Sequence, residues 1–236
     1  MSIAEKFSAI AENEQKVYEA GQKSEYDRFW DEFQKNGTRT SYSYAFYGSG
    51  GWNNEIFKPK YDITEAQYCF NALGYNGETF DLIQIFKEQG IKFNKANGWQ
   101  YANYMFYNAN ITTCPKVHIS CPQYVFYNCK NLVTIEELSL TRQDLTSALG
   151  GSTKNNFNGC TKLENLKIGG WICYDFDVSP ATALTYESLI SIKNALWDYV
   201  GHGSSTTKTL TVGSTNLAKY TDTDLQEIAA KGWSVI

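Results

Sequence analysis

Cys114-x3-His118-x2-Cys121 places three zinc-type ligands close together in the sequence. Thiolate and imidazole are ligands that zinc accepts. A fourth ligand at workable spacing is missing, and the chain has no paired Cys-x-x-Cys units. A short strand through Val117-His118-Ile119 would turn His118 away from its two inward neighbours. No metal site is expected. Glu136-Glu137 and the pair Asp175 and Asp177 set carboxylates near one another. A glycosidase needs two carboxylates facing across a cleft, one of them with a raised pKa. Closeness in sequence supplies neither condition, so these residues read as solvated turns. Asp222 and Asp224 read as helix-start residues. His202, inside Gly201-His202-Gly203-Ser204-Ser205, reads as a solvated turn residue. Gly48-Ser49-Gly50-Gly51 lacks the Lys-Ser/Thr and the helix that a phosphate-binding loop requires. Neither Gly-x-Ser-x-Gly nor His-Glu-x-x-His occurs. The expectation is therefore no enzyme and no cofactor.

The residues that repeat carry binding chemistry instead. Tyr104-Met105-Phe106-Tyr107-Asn108-Ala109 is followed by Tyr124-Val125-Phe126-Tyr127-Asn128-Cys129. Weaker copies surround Phe46, Phe70, Phe157 and Phe176. Tyrosine joins an apolar ring to a polar tip, which suits a contact surface that stays wet. The candidate ligand-binding residues are Tyr104, Tyr107, Asn108, Tyr124, Tyr127 and Asn128. Asparagines in register can also satisfy backbone groups that stacked turns leave unpaired. Tyrosine beside asparagine also offers sugar a stacking face with amide hydrogen bonds.

What positions these residues is a unit of about twenty residues, the period of stacked-coil proteins. A small residue follows the phenylalanine by two or three places: Ala72, Ala109, Cys129 and Cys160. Only a small side chain fits under the next layer of a tight turn. Between the aromatic marks lie apolar-x-apolar triplets: Ile91-Lys92-Phe93, Val117-His118-Ile119, Leu138-Ser139-Leu140 and Leu166-Lys167-Ile168. Leu210-Thr211-Val212 is a candidate fifth. They predict very short strands stacked in parallel as one narrow sheet.

Phe126-x-x-Cys129-x-x-Leu132 and Phe157-x-x-Cys160-x-x-Leu163 resemble the BspA-like leucine-rich repeat, and the resemblance extends over residues 40–175. The units here are less regular, richer in Tyr and Asn, and lack that family's proline before the turn. The flanks look like those of repeat proteins encoded in phages and prophages of gut bacteria. The resemblance implies an α/β solenoid: an irregular leucine-rich-repeat array with short parallel strands, an N-terminal helix and a C-terminal α/β cap. Its divisions are 1–37, the N-terminal helix; 38–183, the array; and 184–236, a helix–strand–helix–strand cap. It also implies a non-catalytic binding or structural role, in a tail-associated virion component or at a host surface, with a protein or a surface glycan as partner. A bacterial surface adhesin is the alternative, and an enzyme acting on polysaccharide the second.

Composition narrows the classes. Net charge is −4 with no basic run, which argues against nucleic acid as partner. No apolar stretch approaches membrane-spanning length, so no membrane insertion is expected. Met1 to Lys6 lacks the apolar core of a secretion signal, so synthesis in the cytoplasm and release by lysis are expected. The six cysteines are sparse for a disulfide framework and read as buried thiols.

In chain order, Ser2 to Lys35 carries helical spacing, with Ser2 and Glu5 as a capping box and Asn36-Gly37 as the stop. Its aromatic end, Tyr26 to Phe33, would cover the first coil. Its thinly apolar half offers pairing with further copies, a route to a homo-oligomer. Thr38 to Tyr61 reads as a loop or an imperfect first coil. Phe80 to Gln89 reads as an inserted helix stopped by Gly90, and residues 141–155 as a loop insertion. Thr185 to Val200 and Thr221 to Ala230 are the clearest later helices, with Gly232 to Ile236 as a last strand.

Overall fold

The apolar triplets become strands because each must turn both apolar side chains into one interior. In the computed structural model, the described residues are 48, 68–89, 104–119, 124–140 and 156–236. The helix expected over 1–37, the loop or first coil Thr38 to Tyr61, the strand Ile91-Lys92-Phe93 and the insertion 141–155 lie outside them. The fold is α/β, built on two parallel sheets with helices packed on them.

The first sheet contains β1 (Phe80–Asp81), β2 (Ile111–Cys114), β3 (Val117–Ile119), β4 (Thr134–Leu140) and β5 (Asn165–Gly170). All its pairings are parallel. β2 and β3 lie in line along one edge of β4, through Thr113↔Thr134, Cys114↔Ile135 and Val117↔Leu138. The break falls at Pro115, which has no N–H to give. β5 lies along the other edge of β4, with a register shift between Ile135 and Leu138. Inward Ile111, Cys114, Val117, Ile135, Leu138, Leu166 and Ile168 are all buried.

The turns between strands share one construction. Counted from the phenylalanine, the residue three places on donates its N–H back to the phenylalanine carbonyl. These are Leu73 to Phe70 (3.1 Å), Ala109 to Phe106 (2.9 Å), Cys129 to Phe126 (3.1 Å) and Cys160 to Phe157 (2.9 Å). The residue two places on has positive φ: Ala72 (55°), Asn108 (58°), Asn128 (62°) and Gly159 (83°). Asparagine tolerates that conformation and glycine adopts it freely. Gly159 is further constrained, since a Cβ there would stand 2.9 Å from the Asn128 Cα. This geometry corrects one detail of the sequence reading. Leu73, not Ala72, occupies the buried place that Ala109, Cys129 and Cys160 hold, and Ala72 takes the left-handed position. Place is counted from the phenylalanine, not assigned by size.

The turns bind one another through their backbones: Phe70 N–H to Met105 O, Phe106 N–H to Val125 O and Asn108 N–H to Tyr127 O, each 2.8 Å. Their rings therefore align. Phe70, Phe106 and Phe126 stack at 5.3 Å per step, and Phe126 meets Phe157 at 5.9 Å. Phe157 meets Phe176 edge-on at 6.1 Å. All five are almost wholly buried. The thiols tie neighbouring turns together, Cys129 Sγ donating to Phe106 O (2.9 Å) and Cys160 Sγ to Phe126 O (3.0 Å). The five described cysteines, 69, 114, 129, 160 and 173, are buried, and the first four are free thiols.

Helix α1 runs Leu82–Gln89, two residues later than expected, because Phe80–Asp81 is taken up by β1. The Asp81 carboxylate then accepts the Gln84 N–H at 2.9 Å. Helix α2 runs Tyr186–Ala195, capped by Thr185 as its sequence implied. It stops before Val200 because Leu196 is drawn into a parallel bridge with Ile172. α2 also closes the free edge of β5. Ser188 Oγ accepts the Leu166 N–H (2.9 Å) and donates to Glu164 O (2.9 Å), and Ser191 Oγ accepts the Ile168 N–H (2.9 Å). Hydroxyls thus replace the next strand and leave no edge for further pairing there.

The second sheet is β6 (Phe176–Asp177), β7 (Lys208–Thr211) and β8 (Trp233–Val235) in that order, all parallel. Leu210 reads from the sequence both as a candidate fifth strand of the first sheet and as the strand of the C-terminal cap. It belongs to the second because it pairs with Phe176 and Val235. A short α3 (Gly213–Leu217) precedes α4 (Asp222–Ala230), so the cap has one helix more than its sequence suggested. α4 begins with a complete capping box between Thr221 and Asp224. Among the described residues no helix is long and apolar enough to cross a membrane.

Candidate functional site

The turns that stack the phenylalanines also fix the residues flanking them. Parallel backbones stand about 4.8 Å apart, and rings at equivalent positions must follow that spacing. Tyr68, Tyr104 and Tyr124, two places before each phenylalanine, form one column with steps of 4.8 and 5.0 Å. Tyr107 and Tyr127, one place after, form a second at 4.9 Å. The columns meet at steep angles, Tyr104 tilted on Tyr107 at 5.5 Å and Tyr124 edge-on to Tyr127 at 5.7 Å. The six residues singled out from the sequence thus stand together on one surface.

Beside the second column runs an amide row, with Asn128 Nδ2 donating to Asn108 Oδ1 at 2.7 Å. A parallel row lies further along the turns. Asn110 Nδ2 donates to Glu78 O (2.8 Å), Asn131 Nδ2 to Asn110 Oδ1 (2.8 Å) and Lys162 Nζ to Asn131 Oδ1 (2.7 Å). Only part of this asparagine use satisfies backbone; much of it links side chain to side chain across turns. Asn156 keeps the backbone role, its Oδ1 accepting the Val125 N–H at 3.1 Å.

The tyrosine rings are half-buried and Asn108 is exposed. Among the described residues, the hydroxyls of Tyr104, Tyr107, Tyr124 and Tyr127 have no hydrogen-bond partner, and none is a buried atom lacking one. Stacking covers both faces of Tyr104 and one face each of Tyr68, Tyr107, Tyr124 and Tyr127. The sequence reading omitted Tyr68 from the surface; its signal was tyrosine two places before phenylalanine in three successive copies.

The carboxylates serve structure. Glu137 sits in β4 rather than in a turn, which corrects its reading as solvated. Its carboxylate lies between Lys116 (2.7 Å) and Lys167 (2.8 Å) and accepts the Ser139 hydroxyl at 2.6 Å. Hydrogen bonds from Lys116, Lys167 and Ser139 hold its pKa down to about 2. A general acid needs the opposite shift. Asp175 accepts the Thr209 N–H, and Asp177 accepts the Ser179 N–H and hydroxyl. Asp224 is buried in the α4 capping box, where Lys193 first and Thr221 second hold its carboxyl well below the usual range. Lys193 lies 2.7 Å from Asp224 and 2.5 Å from Glu227.

Of the zinc-type group, Cys114 is buried, donates to Pro115 O and has its thiol pushed up by burial. The His118 side chain and Cys121 lie outside the described set. Among the described residues no three metal-type ligands gather. His202 is exposed but not simply solvated: its ring stacks on Trp197 at 4.1 Å and its Nδ1 lies 2.7 Å from Asp198 O. No protein-family model, no curated protein and no solved structure matches the chain.

Proposed function

We propose that this chain is a non-catalytic binding protein, an irregular leucine-rich-repeat solenoid of the BspA-like kind that presents the tyrosine and asparagine rows as its contact surface. Four phenol hydroxyls on half-buried rings, without a hydrogen-bond partner among the described residues, carry this reading. Polar groups held in rows are ready to exchange water for a ligand, and a surface already fixed by backbone bonds loses little entropy on binding. The aligned phenylalanines, the turn-to-turn hydrogen bonds and the closing of the β5 edge by α2 support the solenoid. The place of action in this proposal is a phage or prophage virion, as a tail-associated component, or the surface of its host cell. A bacterial adhesin would use the same surface and differ only in where it is displayed.

Binding to intact cells tests the reading. Labelled wild-type protein is expected to adsorb saturably to at least one member of a panel of gut bacteria. The variant Tyr104→Phe, Tyr107→Phe, Tyr124→Phe, Tyr127→Phe keeps the stacked rings and removes the hydroxyls. It is expected to lose most adsorption while its thermal midpoint stays within a few degrees. Equal adsorption by the folded variant would remove these rows as the contact surface. Light scattering reports whether copies associate, as a tail component requires.

A further inference from the structure

We propose that the ligand of this surface is a neutral β-1,4-linked hexose chain lying along the stacking direction, with successive sugars meeting successive turns. The inference rests on the contact-surface reading above. It follows from what the rows offer and what they withhold.

The rows withhold ring faces. Tyr104 is covered by Tyr68 on one side and Tyr124 on the other, at interplanar angles of 4° and 9°. Tyr107 and Tyr127 cover one another at 7°. A ligand that lays its own flat face on an aromatic platform finds none between the stacked rings. The tyrosine columns and the Asn108–Asn128 pair also withhold charge: Tyr68, Tyr104, Tyr107, Asn108, Tyr124, Tyr127 and Asn128 contain no ionised side chain, and the Lys162 ammonium lies in the other amide row, bonded to Asn131. A polyanion would gain no ion pair from them, and a cationic partner would gain none either.

What they offer is hydroxyl and amide, groups that both donate and accept, repeated at a constant interval. The tyrosine columns advance by 4.8, 5.0 and 4.9 Å per turn. An extended β-1,4-linked hexose chain advances by close to that distance per sugar, and each sugar carries neutral hydroxyls along its edges. Such a polymer can therefore keep register with the turns, alternate sugars presenting opposite edges, each of which carries hydroxyls that donate and accept. An α-1,4-linked chain coils and falls out of register. A single sugar gains one step only, so affinity must grow with chain length.

The test is isothermal titration of the full chain with cellohexaose and chitohexaose, against cellobiose and maltohexaose. Binding of at least one β-1,4 hexamer is expected, tighter than the disaccharide by tenfold or more and tighter than maltohexaose. Tyr104→Phe with Tyr124→Phe is expected to weaken it about tenfold, the loss of two hydrogen bonds, with the thermal midpoint kept. Failure of both β-1,4 hexamers to bind, equal binding of maltohexaose, or unchanged affinity in the double variant would overturn the proposal. If the four-tyrosine variant loses cell adsorption while neither β-1,4 hexamer binds, the ligand class falls and the contact surface stands. If adsorption is also indifferent to the tyrosines, both fall. Appearance of new reducing ends during incubation would contradict the non-catalytic reading.

Discussion

Replacing Phe126 with alanine tests the aligned interior most directly. Its ring is 1% exposed and lies between Phe106 at 5.3 Å and Phe157 at 5.9 Å. Truncating a buried phenylalanine costs about 3–5 kcal/mol, from lost transfer energy and the cavity left behind. The backbone ladder fixes the turn spacing, so neighbouring rings cannot close the gap, which argues for the middle of that range or above. For a chain of this length about 4 kcal/mol lowers the thermal midpoint by roughly 8–16 °C. Phe126→Leu separates volume from stacking. It keeps most of the packing but gives up two ring pairs, so about 1–2 kcal/mol is expected. Urea unfolding followed by tryptophan fluorescence gives both values. A cost below about 1 kcal/mol for the alanine variant would show that the ring is not clamped between its neighbours, and the alignment argument would fail.

Three further outcomes are expected. Ser188→Ala removes the hydroxyl that serves both Leu166 N–H and Glu164 O; it should cost about 1–2 kcal/mol and speed hydrogen exchange at the Leu166 amide, while unchanged exchange would mean that the edge is protected by something else. Lys193→Met leaves buried Asp224 without its nearest cation and should cost about 3 kcal/mol in a chemical-denaturation experiment, against little or no loss if the pair is a surface ornament. Glu137 has its folded pKa lowered to about 2, so its contribution is present above the ordinary carboxylate pKa and is lost as pH falls through the folded value. Because its lysine partners are exposed, about 1 kcal/mol is expected. The gap between wild type and Glu137→Gln should therefore be open at pH 6 and closed near pH 2, and a gap that persists at pH 2 would point to packing instead of charge.

The tyrosines and asparagines were legible as a repeated pair of peptides, since a residue's place relative to its phenylalanine is a local property. Helix caps were legible for the same reason: Thr185 and Thr221 serve as their positions implied, because a cap is satisfied within one turn. The short strands at Val117, Leu138 and Leu166 followed from alternation. Alternation missed β2, where Ile111-Thr112-Thr113-Cys114 carries too few apolar residues to stand out.

What one residue meets across another turn was not legible. That Leu210 joins Phe176 in a second sheet, that Glu137 is clamped by Lys116 and Lys167, and that Ser188 seals the edge of β5 all join residues far apart in the chain. Sequence alone determined which side chains recur and which groups could cap, pack or bind. Tertiary structure alone decided that the recurring tyrosines stack on one another in columns, because that depends on the distance between backbones, and hydrogen bonding between neighbouring turns sets that distance.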